Sequence, residues 1–402
     1  MSTLKTTLLP VCILLITFLT ACGSGESEKS LQRENKLPFL IQVEEARDNK
    51  EAVFLSDFAS NIEYIQPETS EKSLIGRNAH FYITSDYVFS TAFRQIILFN
   101  RIDGSFIREI SQYGQGPDEY RNTYPYLHFN EAHQFTYVKN YSNKVVGLNA
   151  SGGTDLELQL PMDDRTLVSS FAQLEPDLFV GFHSNFDCNQ DIKLVLFKQN
   201  GEVVKTYKNH LTCVNDNPGS ISFDFTEGTF YNWNKGVFFK ENYNDTLFQV
   251  NQDSLRVRAI FNTGEHSMPY EDKKTIVENG SWKTYFSISY VDETADYIFF
   301  TMGFRGESHS GYYDKARNIT KLADLKGSKD NRFSNDLDDF LSFKPLYATE
   351  SNKLVGYLEA PEVLEWFEDN PEKAAKLPPH LKQFENMQED DNPIIMIVTL
   401  KD

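Results

Sequence analysis

The residues best suited to chemistry in this sequence are two cysteines and two histidines. Cys188 lies five residues after His183, and Cys213 lies three after His210. Thiolates and imidazoles are the ordinary ligands of zinc, so a Cys2His2 centre is one reading of the set. "H-x4-C" and "H-x2-C" across a long gap is loose spacing for such a centre. A Cys188–Cys213 disulfide is the second reading and a pair of free thiols the third. A bridge would close a loop of about 26 residues and add about 3 kcal/mol in the chain-entropy picture. His128 and His133 fall at strand-like positions, which suit packing or surface roles better than ligation. The sequence holds no G-x-S-x-G elbow, H-E-x-x-H pair, phosphate-cradling loop or EF-hand loop. Asp336, Asp338 and Asp339 stand close together, but among 58 acidic residues such groupings arise by chance. No catalytic residue, metal or cofactor is assigned on these grounds.

A different kind of site is suggested by "ISQYGQGPDEYRNTYP", residues 110–125. Glycines and a proline there make a sharp bend, and Tyr113, Tyr120 and Tyr124 surround it. The plain reading is structural, with the tyrosines packed beneath the connector. The functional reading places Tyr113, Arg121 and Tyr124 at the mouth of a channel where a sugar or peptide could stack, with Arg94 and Arg305 on loops of the same face.

These residues need a scaffold, and the composition narrows its kind. The chain carries 32 Phe and 20 Tyr, which favours pleated, half-buried surfaces. A net charge of -19 opposes nucleic acid as a partner, because phosphate binding needs a basic face. The same charge disfavours docking onto anionic lipid and favours solubility.

The first residues read as a leader. Lys5 precedes the apolar run "LLPVCILLITFLT", which is too short to span a bilayer. The run ends in Leu19-Thr20-Ala21-Cys22, which resembles the lipobox of bacterial lipoproteins. The resemblance implies a signal peptide over 1–21 and acylation of Cys22. Several acyl chains would hold the protein firmly on a membrane, at roughly 0.8 kcal/mol per buried methylene. Residues 22–40 are expected to be a flexible tether. Cys12 leaves with the signal, so Cys188 and Cys213 remain in an oxidising compartment.

From residue 41 a unit recurs: two short strands followed by a tight hairpin. The hairpins are "IILFNRIDGSFIREI", "VVGLNASGGTDLELQL", "LVLFKQNGEVVKTY", "TLFQVNQDSLRVRAIF" and "GYYDKARNITKLAD". Their turns fall at Gly104, Gly152, Gly201, Asp253 and Arg317. Four-stranded antiparallel units at this period are blades of a β-propeller, because one blade cannot bury both of its faces alone. The expected fold is all-β, a six-bladed propeller over 41–402. Its sixth blade is built from "FLSFKPLYATE", "KLVGYLEA" and "NPIIMIVTLK" and completed by "SNIEYIQPE" from near the start. A helical insertion, 361–388, interrupts that blade and is expected to cap one end of the ring. A two-sandwich or solenoid arrangement is the rival.

"FLSDFASNIEYIQPETSEKSLIG", then "Gly-Gln-Gly-Pro-x-Glu-Tyr" at 114–120, "NDTLFQV" and the closing "DDNPIIMIVTLK" together resemble the six-bladed β-propeller lipoproteins of gut-type Gram-negative bacteria. The likeness spans residues 54–402. It implies a TolB-like propeller and a lipid anchor, and it carries no catalytic residue over. Gly23 after the cysteine implies the outer membrane, facing periplasm or surface. The expected role is a monomeric binding module for an envelope protein, glycan or peptide, acting through the face that bears the two–three links and the inter-blade links. The alternative is a channel-centred hydrolase or lyase.

Overall fold

A computed structural model describes residues 37–401 apart from 50, 78, 93, 111–112, 115–118, 121–128, 131–133, 140–143, 164–165, 216–226, 326–327 and 329. The strands expected from the repeats form. In the first blade His80–Ile83, Tyr87–Ala92, Gln95–Asn100 and Phe106–Glu109 pair in sequence order, all antiparallel. The second and third strands are buried along almost their whole length, while the fourth is largely exposed. The cause is radial stacking. A middle strand has a neighbouring blade against each face, so it reads as a continuous apolar run instead of an alternating one. "IILF", "LVLF" and "YIFF" have this character for this reason.

Six such sheets are present, and together they make a six-bladed β-propeller. The second runs from Phe129 to Gln159, the third from Met162 to Lys208 and the fourth from Gly228 to Asn262. The fifth runs from Ser287 to Leu322. The sixth joins Tyr347–Ala348, Lys353–Leu358 and Ile394–Leu400 to Ala59–Ile65, which is its outermost strand. Ile62 pairs with Val398 and Tyr64 with Met396, so residues from both ends of the fold share one sheet. Glu63 on the closing strand also accepts from Arg101 of blade one at 2.6 Å and from Lys353 of blade six at 3.1 Å.

Between blades, aliphatic and aromatic side chains pack together. Phe182 of blade three meets Phe239 of blade four at 4.9 Å between ring centroids, and both rings are buried. Each such side chain adds about 1.5–3 kcal/mol on leaving water. The hairpin turns use left-handed backbone: Gly104, Gly152 and Gly201 have φ of 71°, 84° and 87°. In blade five the left-handed residue is Asn318, one past the expected Arg317. Gly104 has a second constraint, since a Cβ there would lie 2.1 Å from the Gln66 carbonyl oxygen.

The helical insertion forms short helices at Ala360–Asp369, Pro371–Ala374 and Pro379–Lys382. It packs on the seam of blades five and six: Trp366 and Phe384 contact Phe340, and Phe384 reaches Tyr64. Among the described residues it adds nothing to the lining of the central channel.

The expected tether boundary at residue 40 moves back. Phe39–Gln42 is a strand that pairs parallel with the last strand of blade four, Phe39 opposite Ala259 and Gln42 opposite Asn262. Phe39 and Ile41 are buried there. A short helix, Val43–Asp48, follows. Glu51 then bridges to Ala323 beyond blade five, and Phe54 to Ser334. The segment 39–65 is thus a belt from blade four past blade five to blade six.

Candidate functional site

The innermost strands of all six blades surround an axial cavity of about 300 Å³. Blade one contributes Tyr82; blade two Phe129, Asn130 and Tyr137; blade three Phe171 and Gln173. Blade four contributes Phe230, Tyr231 and Asn232; blade five Ser289, Tyr290 and Asp292; blade six Tyr347 and Glu350. Side chains alternate along an inner strand, but the lining also takes in consecutive residues such as 171–173 and 229–232. Tyr290 and Asp292, like Phe171 and Gln173, are two residues apart.

The aromatic rings hold one another in place. Tyr82 stacks on Phe129 at 5.1 Å and leans on Tyr347 at 5.6 Å. Tyr137 meets Phe171 edge-on at 5.1 Å, and Tyr231 stacks on Phe238 at 5.0 Å. Several polar groups are fixed by the backbone. The Ile83 N–H donates to the Tyr347 hydroxyl at 2.8 Å. Asp292 accepts from the N–H of Glu293 at 2.9 Å and of Ala348 at 2.7 Å. Asn130 donates its amide to Gln173 at 2.9 Å, and Gln173 donates to the Pro176 carbonyl at 3.1 Å.

Behind the lining, the Tyr231 hydroxyl donates to Glu293 at 3.1 Å. Glu293 is buried and also contacts Arg258 and Lys315. Burial pushes the Tyr137 hydroxyl up to about 12 and those of Tyr82, Tyr231 and Tyr290 well above the ordinary phenol range. The cavity therefore presents neutral phenols at physiological pH.

The cavity lies in the half of the ring next to the one–two turns. Gln173, Asn232 and Asp292 stand near the C-terminal ends of Thr166–Glu175, Gly228–Trp233 and Ser287–Glu293, and Glu350 follows the first strand of blade six. This is the end opposite the two–three links on which the binding rim was expected.

The residues singled out in the sequence lie elsewhere. Tyr113 bridges to Tyr120, and the Arg94 guanidinium sits 4.3 Å from its ring centroid. Tyr120 is buried in the seam of blades one and two. Tyr113 is not among the described residues that line the axial cavity; its ring is exposed and lies edge-on to Tyr120. Arg305 occupies a left-handed turn at the two–three link of blade five, over the Phe304 ring at 4.9 Å, and also lies outside the cavity. Arg121, Tyr124, His128, His133 and Cys22 lie outside the described residues. Tyr82, Tyr231 and Tyr290 were present in the first-strand phrases "FYITSD", "TFYNWN" and "SISYVDE", where strand parity would have found them; Tyr137 lies on the second strand of blade two, Phe135–Lys139, outside those phrases.

Cys188 and Cys213 are joined as a disulfide across the two–three link of blade three and the connector that leaves it. The bond removes both thiolates from the Cys2His2 alternative. No cluster of three or more metal-type ligands occurs among the described residues. Beside the bridge, the buried Lys273 ammonium contacts Glu227 and donates to the Asn185 carbonyl at 2.8 Å. Lys193 contacts Glu241, and the Tyr270 hydroxyl donates to Glu241 at 2.9 Å. With 25 residues of sequence separation, reduction is expected to lower stability by about 3 kcal/mol. Urea unfolding with and without reductant checks this, and unchanged midpoints would reject it.

Fold and cavity together define the class: a six-bladed propeller with a pre-formed aromatic site on its axis. The sequence profile of "Domain of unknown function (DUF4934)" matches residues 38–399, and the chain belongs to that family. Among solved structures, the chain is similar to a protein of Bacteroides fragilis NCTC 9343 whose name calls it exported, at 17% identity and a TM-score of 0.65. That match covers 90% of this chain and 99% of the other. A member of the duf4221 family from Bacteroides vulgatus ATCC 8482 is 10% identical with a TM-score of 0.49, covering 85% of this chain and 97% of that one. At these identities the likeness concerns the fold alone. Among curated proteins, none matches the sequence.

Proposed function

We propose that this chain is a lipid-anchored binding module of the outer membrane, TolB-like in its propeller, which receives an envelope protein, glycan or peptide at the axial cavity. The observation that carries the reading is the cavity lining. It is dominated by aromatic rings held by one another, and among the described residues its ionisable acids are Asp292 and Glu350, with no histidine. Small-molecule sites have this form: an apolar, largely pre-formed concavity with a few placed polar groups. A propeller hydrolase or lyase would instead gather several carboxylates or histidines around the channel. The exported name of the Bacteroides fragilis relative is in keeping with an envelope address.

Capture from detergent-solubilised native envelope tests the site. The wild-type chain is expected to retain a ligand that Tyr231→Ala loses and Arg305→Ala keeps. Equal capture by all three would refute the cavity as the site. The anchor is tested separately. Cys22→Ala is expected to move the protein from the membrane fraction to the soluble fraction, and continued sedimentation with membranes would exclude acylation there.

A further inference from the structure

The axial cavity has a wall chemistry and a charge, and together they narrow what it would hold. Each of the six blades supplies it with an aromatic ring: Tyr82, Phe129, Phe171, Tyr231, Tyr290 and Tyr347. The Tyr137 and Tyr290 hydroxyl oxygens are buried, so those two side chains do not offer the cavity a hydroxyl. Ring faces carry negative quadrupole charge and attract cations. Two carboxylates, Asp292 and Glu350, add negative charge to the wall. Asp292 is 5% exposed, and its charge acts on both the Tyr231 and the Tyr290 phenol. Among the described residues, no lysine, arginine or histidine lines the cavity. Arg258 and Lys315 lie behind the wall, engaged with Glu293 and with the rings of Phe39 and Trp233.

This charge opposes an anion, and the hydrogen bonds of the wall narrow the cation. Asp292 already accepts the N–H groups of Glu293 and Ala348. Asn130 donates to Gln173, and Gln173 to the Pro176 carbonyl. A primary ammonium brings three N–H donors, each of which needs an acceptor once it leaves water. A quaternary ammonium brings none, and aromatic cages recognise it through the ring faces. A volume of about 300 Å³ is at the small end for ligand pockets and suits a compact head group. We propose that the axial cavity is a site for a small quaternary ammonium ion, held by the surrounding aromatic rings and by the charge of Asp292. The proposal rests on the axial cavity being the binding site and adds the ligand class.

The test uses the purified chain with choline as the probe. Its neutral isostere, 3,3-dimethylbutan-1-ol, has the same shape with carbon in place of nitrogen. n-Butylammonium and methyl glucopyranoside are the further comparisons. Binding is read by calorimetry and saturation-transfer NMR. Choline is expected to bind at millimolar concentration, and the other three probes about tenfold more weakly or not at all. Asp292→Asn is expected to weaken choline about tenfold and to leave the isostere unchanged. Tyr290→Leu is expected to weaken choline to a similar degree, while Tyr290→Phe, which keeps the ring, binds it like the parent. Urea unfolding identifies a variant that fails to fold, and the contrast between choline and its isostere is read on the parent alone.

No choline binding at millimolar concentration would overturn the proposal. So would an isostere that binds as tightly as choline, because shape alone would then account for the site. Tighter binding of n-butylammonium or the glucoside would also overturn it, as would choline binding that folded Asp292→Asn and Tyr290→Leu both leave unchanged. If choline fails while Tyr231→Ala still abolishes capture from envelope, only the ligand class falls. If that capture is also unchanged, the cavity reading falls with it.

Discussion

Replacing Glu293 by glutamine is expected to lower folding stability by about 3–5 kcal/mol, the usual cost of removing one member of a buried ion cluster. Glu293 is the anion shared by Arg258 and Lys315, and all three are buried. Arg258 lies over the rings of Phe39, Trp233 and Phe238, and Lys315 lies over Trp233. Rings partly compensate a cation, by about 2 kcal/mol or more when it is desolvated. They do not replace a carboxylate, so glutamine would leave two positive charges inside the seam of blades four and five. Urea unfolding measures the effect, and a loss below about 1 kcal/mol would contradict this account of the cluster.

The same residue sets a pH dependence. Burial alone would raise the Glu293 pKa, but Lys315 and Arg258 outweigh it and hold the carboxyl below its ordinary value. A carboxylate with a folded pKa below its unfolded one stabilises the fold above the unfolded value, about 4.3, and that contribution disappears as pH falls through the folded value. The wild type is therefore expected to lose stability on acidification below about pH 4.3 more steeply than Glu293→Gln. Parallel curves would reject the assignment.

Replacing Lys273 by methionine should have a comparable effect, about 3–5 kcal/mol. Lys273 is buried against Glu227, the Asn185 carbonyl and the Tyr270 hydroxyl. Its loss leaves Glu227 buried in the same cluster as Glu241, whose ion-pair partner is Lys193. Adding Glu227→Gln should restore part of the stability. The amide oxygen can still accept from Ser184 and from the Asn185 N–H, now without a stranded charge. A double variant no more stable than Lys273→Met alone would show that packing dominates. The effect would be read as a shift in urea midpoint with unchanged slope.

Much of this architecture was legible in the sequence, for identifiable reasons. Middle strands enclosed by two blades must be apolar throughout, and "LVLF" or "YIFF" announces that directly. Glycines at 104, 152 and 201 mark hairpins because the turns need left-handed backbone. Ile62 could be matched to the last strand because blade six lacked its outer member.

Phe39–Gln42 was not legible. It has four residues, no period of its own, and a partner more than two hundred residues away. The axial cavity was not legible for another reason. Loop parity tells which end of the ring a loop leaves, but the cavity is made by side chains within the strands. Tyr137 and Tyr290 belong to the cavity lining, whereas Tyr113 drew notice through its neighbours in sequence and Arg94 through the loop that carries it.

The belt has a consequence for how the ring stays shut. Phe39–Gln42 pairs with the last strand of blade four, and Ala59–Ile65 pairs with the last strand of blade six. One stretch of chain therefore clasps the blades on either side of blade five. Parting the ring at either flank of that blade would also require this strap to be peeled away.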